Sequence, residues 1–426
     1  LGHAYYLSSN RQHRQEGEAR FVKALSLLDR LSHRERLWIT ALAEDSRGNR
    51  ESAVSAYRTY LAEYPDDQAA WFRLGWTNLA GVRQFEPAAE AFKRVIALNP
   101  SNANAYVNLA TSYAALRNDR EAVKHYQQAF DLNPALKTDL IVNHEYGFVL
   151  IRLGDLDRAA AHFGQMLAEK SSGSQARGHR SLGLLETYRG RYSAAIDHFK
   201  QAIVINRTNK AQVSEFRDRL FLARAYRAKG RAQAAAEELD AVHRLAATST
   251  LAPEWLSRLG KEEARSGRMP QARATLGLMA KTAGDATAAS SVNRNTEAER
   301  AHFEIVQGEV ELAEGRAAKG VQSFESAYVI DPNMGTLDSL AMGLLRAGRP
   351  DEAAKRFEDM LARKDYGTES QEQSFNAQIR LAEIHARLGR SDRARELSEG
   401  LIAQWKGGDE DLVLLKDARA LLAGLK

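Results

Sequence analysis

His144 and Glu145 stand together as the first half of the pattern in which two histidines, four residues apart on one helix face, hold a zinc ion while the glutamate works on a bound water. The second ligand would fall at position 148, which is Phe148, so the set stops at one imidazole. His162, His179 and His198 are isolated on separate predicted helices, where a lone histidine is far more often packed or solvated than metal-bound. There is no phosphate-cradling glycine loop and no Gly-x-Ser-x-Gly turn. The absence of cysteine removes thiolate nucleophiles, thiolate metal sites and redox couples, and it leaves the compartment open between cytoplasm and periplasm. No enzymatic activity, metal or cofactor is expected.

The elements that would carry other chemistry are helices. The chain has 426 residues, only 8 of them proline, and is dominated by Ala, Leu, Arg and Glu. That length exceeds what one compact core usually supports and suits an elongated array. The formal charge of +5 is small for such a chain, so nucleic acid is not an expected partner. No apolar run approaches the ~18 residues of a spanning helix, so membrane insertion is not expected either. The opening LGHAYYL, without Met, reads as the later part of a first helix whose upstream portion is missing.

Self-similarity organises the rest. In residues 103–134, Tyr106, Leu109, Ala110 and Tyr113 recur at helical spacing before a polar turn; Ala122, Tyr126 and Ala129 follow on a second helix that Pro134 ends. Pro100 and Pro134 each follow a Leu-Asn pair, one repeat apart. Small residues on the first helix (Gly75, Ala110, Gly147, Gly183, Gly260) permit close helix approach. Glycines 48, 154, 190, 230, 267, 315, 348 and 389 end first helices, where a left-handed residue caps best without a side chain. Five to six residues later a small residue recurs (Ala53, Ala159, Ala195, Ala235, Ala272, Gly320, Ala353, Ala394). A large one follows a turn further on (Tyr57, Phe92, Tyr126, Phe163, Phe199, Leu239, Leu276, Phe324, Phe357).

This pattern resembles the tetratricopeptide repeat, which implies an all-α, right-handed α-α superhelix of about eleven helix pairs. Units are expected near 34–66, 68–102, 103–134, 140–170, 176–206, 216–243, 253–280, 301–332, 334–362 and 375–405, with a truncated pair at 1–32. Residues 281–296 lack apolar periodicity and read as a loop or hinge between an array over 1–280 and one over 297–406. Residues 409–426 are amphipathic and are the expected cap of the last apolar face.

The resemblance also implies a concave groove, lined by first helices, that receives a protein or peptide. Carried over residue by residue, one stretch is apolar and amide-rich: Phe72, Arg73 and Trp76, then Asn104 and Asn108, then His144. Asparagines there could pair with a ligand backbone while Phe72 and Trp76 offer anchor pockets. Phe72 and Trp76 occupy places where a carboxylate clamp has Lys and Asn, which argues against a chaperone-tail adaptor. A second stretch is basic: Arg177, Arg180, Arg217, Arg224, Arg227, Arg258, Lys261 and Arg265. Eight cations on one wall would focus a positive potential and favour an acidic guest.

The finish from Leu401 to Lys426 resembles the end of large bacterial signalling proteins, in which a eukaryotic-type Ser/Thr kinase or a winged-helix domain precedes such an array. The expected role is therefore a protein-interaction scaffold or regulatory docking arm of such a protein; the alternative is a periplasmic assembly scaffold for an envelope or polymer-secretion complex. Neither reading fixes an oligomeric state.

Overall fold

The computed structural model describes residues 17, 19, 20, 22–249, 251–287, 296–364 and 369–425. Most of the expected first pair lies outside the described residues, as does the stretch LGHAYYL. The described residues form helices and turns, with no strand among them.

Two compact units are present, one ending at Leu153 and the other beginning at Gly154. The first holds α1 (His33–Arg47), α2 (Arg50–Glu63), α3 (Gln68–Trp76, continued by a π-helical turn, Thr77–Val82), α4 (Phe85–Leu98), α5 (Ala103–Ala115), α6 (Asp119–Leu132) and α7 (Leu140–Arg152). The second holds α8 (Leu156–Gln165), α9 (Ser172–Tyr188), α10 (Tyr192–Thr208), α11 (Gln212–Ala228), α12 (Ala232–Thr248), α13 (Pro253–Arg265) and α14 (Met269–Thr287). It continues with α15 (Thr296–Ala313), α16 (Ala317–Ile330), α17 (Met334–Arg346), α18 (Pro350–Ala362), α19 (Gln371–Arg387), α20 (Ser391–Gln404) and α21 (Val413–Gly424). Within each unit, most helices pack on their chain neighbours, as helix hairpins must when each buries its oily stripe against the next.

Local sequence sets the helix ends. Ser32 caps α1 by accepting from the Glu35 amide, while the Glu35 carboxylate accepts from the Ser32 amide, so two orphan donors are satisfied at once. All eight turn glycines have φ between +70° and +83°. At Gly48 this conformation turns the chain so that its amide reaches back to Asp45 O at 3.2 Å. Where glycine is missing from the corresponding turns, Arg83 (φ 57°) and Arg117 (φ 60°) take the left-handed conformation instead.

The small and large positions meet as the spacing predicts. Ala53, Ala159, Ala195, Ala353 and Ala394 are buried, as are Tyr57, Phe92, Tyr126, Phe163, Phe199, Phe324 and Phe357. A Cβ built on Gly75 would stand 2.8 Å from Phe92 Cε1, and one on Gly183 2.5 Å from Phe199 Cε1. One position departs from expectation. Leu276 is only half-buried, and Thr275 beside it is fully buried, donating to Glu263 Oε2 at 2.7 Å. Ala272 and Met279 on the same stripe are buried and Leu276 still packs against the core, so α14 keeps its face while Thr275 satisfies an inner carboxylate beside it.

The expected loop or hinge also differs. Residues 281–287 continue α14, and α15 begins at Thr296; residues 288–295 lie outside the described residues. The helices on either side share the second unit and pack together, with a Cβ on Gly260 of α13 standing 2.5 Å from Val306 of α15. The expected cap is α21, which lies on α19 and α20 with Leu412 and Leu415 buried.

Candidate functional site

In the first unit, α3, α5 and α7 present the apolar and amide-rich stretch. Trp76 is 46% exposed, on the last turn of α3 immediately before the π-helical turn. Such single-turn widenings re-aim neighbouring side chains and are frequent at functional sites. This one is held by Asn78, whose Nδ2 donates to Leu74 O at 2.8 Å. Asn104 is exposed, and Asn108 donates one amide hydrogen to Asn104 O at 2.9 Å, leaving its side-chain oxygen available.

Other members of the stretch are engaged internally. Phe72 packs edge-on against Phe92 at 5.6 Å, so it stiffens its own hairpin and offers no open pocket. Arg73 is half-buried, and His144 lies 4.0 Å from the Phe148 ring. Behind them, Glu145 accepts from Thr111 Oγ1 at 2.8 Å and from the Tyr126 hydroxyl at 2.9 Å. Burial first, and then the nearby Glu145 charge, pushes the Tyr126 hydroxyl well above its ordinary pKa. Helical spacing would put Glu145 on the groove face with His144; in the structure its carboxylate is the acceptor that joins consecutive hairpins.

In the second unit the basic stretch is present but does not form a free positive wall. Arg180, 2% exposed, forks onto Asp218, which also accepts from Asn206 Nδ2 at 2.7 Å. Arg224 Nε donates to Glu262 Oε1 at 2.9 Å, and Arg227 pairs with the same carboxylate. Arg265 reaches Glu309 at 2.6 Å and Asp338 at 2.8 Å, and Lys261 Nζ lies 2.7 Å from Asp338. Arg217 and Arg258 both lie over the Trp255 ring, 5.4 and 4.5 Å from its centroid, and both pair with Glu369. Arg177, half-buried on α9, lies near enough to Arg217 to raise the local positive potential.

The electrostatics follow from this pairing. Burial, together with Arg180, lowers the Arg217 pKa to about 10 despite the Glu369 carboxylate. Glu262 suffers a burial penalty that Arg227 and Arg224 outweigh, so its carboxyl stays well below the usual range. The expectation of an open basic wall is thus corrected: Asp218, Glu262 and Glu309 answer cations on the first helix before them, while Glu369 and Asp338 take up others. A signal was available, because Arg180 to Asp218 and Arg224 to Glu262 are both separated by 38 residues, one repeat with its loop. The histidine reading changes too, since His179 Nδ1 lies 3.1 Å from His198 Nδ1 within the α9–α10 hairpin. No cluster of three or more potential metal ligands occurs among the described residues.

Arg224, Arg227 and Arg265 also border a cavity of about 290 Å³ inside the second unit, shared with Glu309, Asp338 and Glu372. No helix among the described residues is long and apolar enough to cross a membrane.

Comparison with known proteins gives a consistent picture. A family model described as tetratricopeptide repeat matches residues 40–84, 77–136, 149–210 and 339–409, more than half of the chain. A segment of 83 residues, 20% of this chain, is 35% identical to the peroxisomal targeting signal receptor of Eremothecium gossypii and spans 14% of that receptor's length. A tetratricopeptide repeat protein from Parabacteroides merdae superposes with a TM-score of 0.47 at 15% identity, covering 73% of this chain and 98% of that one. PilW, a type IV pilus biogenesis factor, does so with a TM-score of 0.40 at 20% identity, covering 48% and 89%. The structural likenesses are likenesses of fold.

Proposed function

The chain belongs to the tetratricopeptide repeat family, and on that premise we propose that it is a docking arm whose partner-binding face is the inner side of α3, α5 and α7. Proteins of this family are interaction scaffolds that bind proteins or peptides, and they are generally not enzymes. The observation that carries the reading is Trp76, a large ring left 46% exposed on a first helix next to a π-helical turn, with Asn104 and Asn108 on the following first helix. An aromatic anchor beside amides that can pair with peptide groups suits an extended partner segment bearing an apolar side chain. The basic stretch is not proposed as a second docking face, because Asp218, Glu262, Glu309, Asp338 and Glu369 already supply the acidic groups that a guest would bring.

A photo-crosslinking residue at position 108 of the full chain tests the face. Partner crosslinks should vanish with Trp76→Ala and persist with Val329→Ala, a substitution at an 83% exposed position in the second unit. Crosslinks indifferent to Trp76→Ala would overturn the assignment.

The arm is proposed to belong to a larger bacterial signalling protein, on the resemblance of Leu401–Lys426, with a periplasmic assembly scaffold as the competing role. A kinase or winged-helix domain encoded upstream supports the first; a secretion leader supports the second.

A further inference from the structure

The second unit closes on itself. Gln371 Nε2 at the start of α19 donates to Leu184 O of α9 at 2.7 Å, and the Asp409 amide donates to Gly190 O at 2.9 Å. The Trp405 ring stands edge-on to both Tyr192, at 5.8 Å, and Phe375, at 5.1 Å. Closure brings the first helices α11, α13, α15, α17 and α19 around the cavity of about 290 Å³, with the beginning of α21 on its border. Its lining is mostly charged, with an apolar share from Leu312, Met342, Val413 and Leu414, and a concave space of this size can hold a small molecule.

Its polar side is rich in donors. Arg224 and Arg227 converge on one carboxylate, Glu262, and so leave one positive charge over, whereas Arg265 is matched by Glu309 and Asp338. Arg346, exposed at the end of α17, borders the cavity with no ion pair or hydrogen bond among the described residues. Glu372 faces Arg224 and Arg227, and its carboxylate accepts no hydrogen bond among the described residues; burial raises its pKa against the pull of those two arginines. The apolar part of the lining comes from Leu312, Met342, Val413 and Leu414, of which Met342 lies one helical turn from Arg346.

We propose that this cavity binds a small organic carboxylate with an apolar body, its carboxylate held by Arg346 and Arg227 and its hydrocarbon laid on Met342, Val413 and Leu414. A guanidinium without a partner can grip a carboxylate through two parallel hydrogen bonds, and Arg346, exposed at the border of the cavity, is free to do so. Glu372 is the group that opposes the anion, since its charge sits beside the arginines that would attract it. The site lies wholly within the second unit and is independent of the docking face on the first.

Calorimetric titration of the full chain with hexanoate, and with hexanamide as its uncharged counterpart, tests the proposal. Hexanoate should bind saturably at one site and hexanamide should not. Arg346→Met should weaken hexanoate about tenfold or more, as loss of a charge-assisted pair does. Glu372→Gln should tighten it several-fold, a gain that a merely structural role for Glu372 would not give. Equal behaviour of hexanoate and hexanamide would overturn the assignment, and so would undiminished binding by an Arg346→Met variant with unchanged circular dichroism. A leucyl dipeptide with a free carboxylate that binds where hexanoate does not would also overturn it, by assigning the cavity to a peptide end; its amidated form is the control.

Discussion

Lys229 Nζ lies 2.8 Å from Asp409 Oδ2, across 180 residues of sequence, and 2.6 Å from Asp411 Oδ1. The ammonium is nearly enclosed, and Asp409 also accepts from the Ser193 amide at 2.7 Å and its hydroxyl at 2.9 Å. The connection between α20 and α21 is thereby fastened to the α9–α10 and α11–α12 turns. This clasp turns a run of stacked hairpins into a closed body, and its chemistry makes it sensitive to charge.

Replacing Lys229 with Met should lower the stability of the second unit by about 2 kcal/mol, below the full cost of orphaning a buried partner because both aspartates keep contact with water. Urea unfolding followed by circular dichroism measures it.

The same clasp gives a pH dependence. Burial raises the Asp409 pKa, but the Lys229 and Ser193 hydrogen bonds outweigh it and hold the carboxyl below its ordinary value. A depressed folded pKa means stabilisation that is complete above the ordinary aspartate range and lost as pH falls through the folded value. Melting temperature should fall with acidification, and the Lys229→Met variant should show a shallower fall over the same range.

Arg180 and Asp218 test the ladder of inner ion pairs. Arg180→Met strands a fully buried carboxylate that keeps the Asn206 hydrogen bond and the nearby Arg217 charge but loses its forked partner, and should cost about 3 kcal/mol. Adding Asp218→Leu should recover most of that loss, because the desolvation penalty leaves with the charge. A double-mutant cycle with no recovery would show that the pair is not coupled.

Two glycines should respond with opposite signs. Gly183→Ala forces a methyl against the Phe199 ring and should destabilise by about 1–3 kcal/mol. Gly164 lies inside α8 with nothing within 4 Å of an added Cβ, so Gly164→Ala should stabilise by about 0.5–1 kcal/mol. Thermal melts of the two variants check both.

Trp76 and Phe72 separate binding from packing. Trp76→Ala should leave stability within about 0.5 kcal/mol of the parent while abolishing crosslinking at position 108. Phe72→Ala, which strips the ring from Phe92, should cost about 2 kcal/mol.

Side-chain size and turn chemistry made the fold legible. Gly48 and its seven counterparts have to be left-handed for the chain to reverse, and Ala53 or Ala195 has to be small for its hairpin to close; both demands act within one repeat and so are written in local spacing. Leu276 escaped that logic because the choice between it and Thr275 depends on Glu263, a group on the preceding helix that needed a hydrogen bond. Arg83 and Arg117 escaped it because a left-handed turn can be imposed by the packing on both sides.

The candidate site was legible only in part. Helical period and repeat length lead one to expect Trp76, Asn104 and Asn108 on one face of consecutive first helices, and Arg180, Arg224 and Arg265 along another stretch of such helices. Only the tertiary structure decided whether those charges were free. Arg258 meets Glu369 across 111 residues and Lys229 meets Asp409 across 180, and no local rule records such encounters. Charge acts through space, so its partners depend on how far the array curves before it closes, whereas helix and turn formation depend on neighbours along the chain.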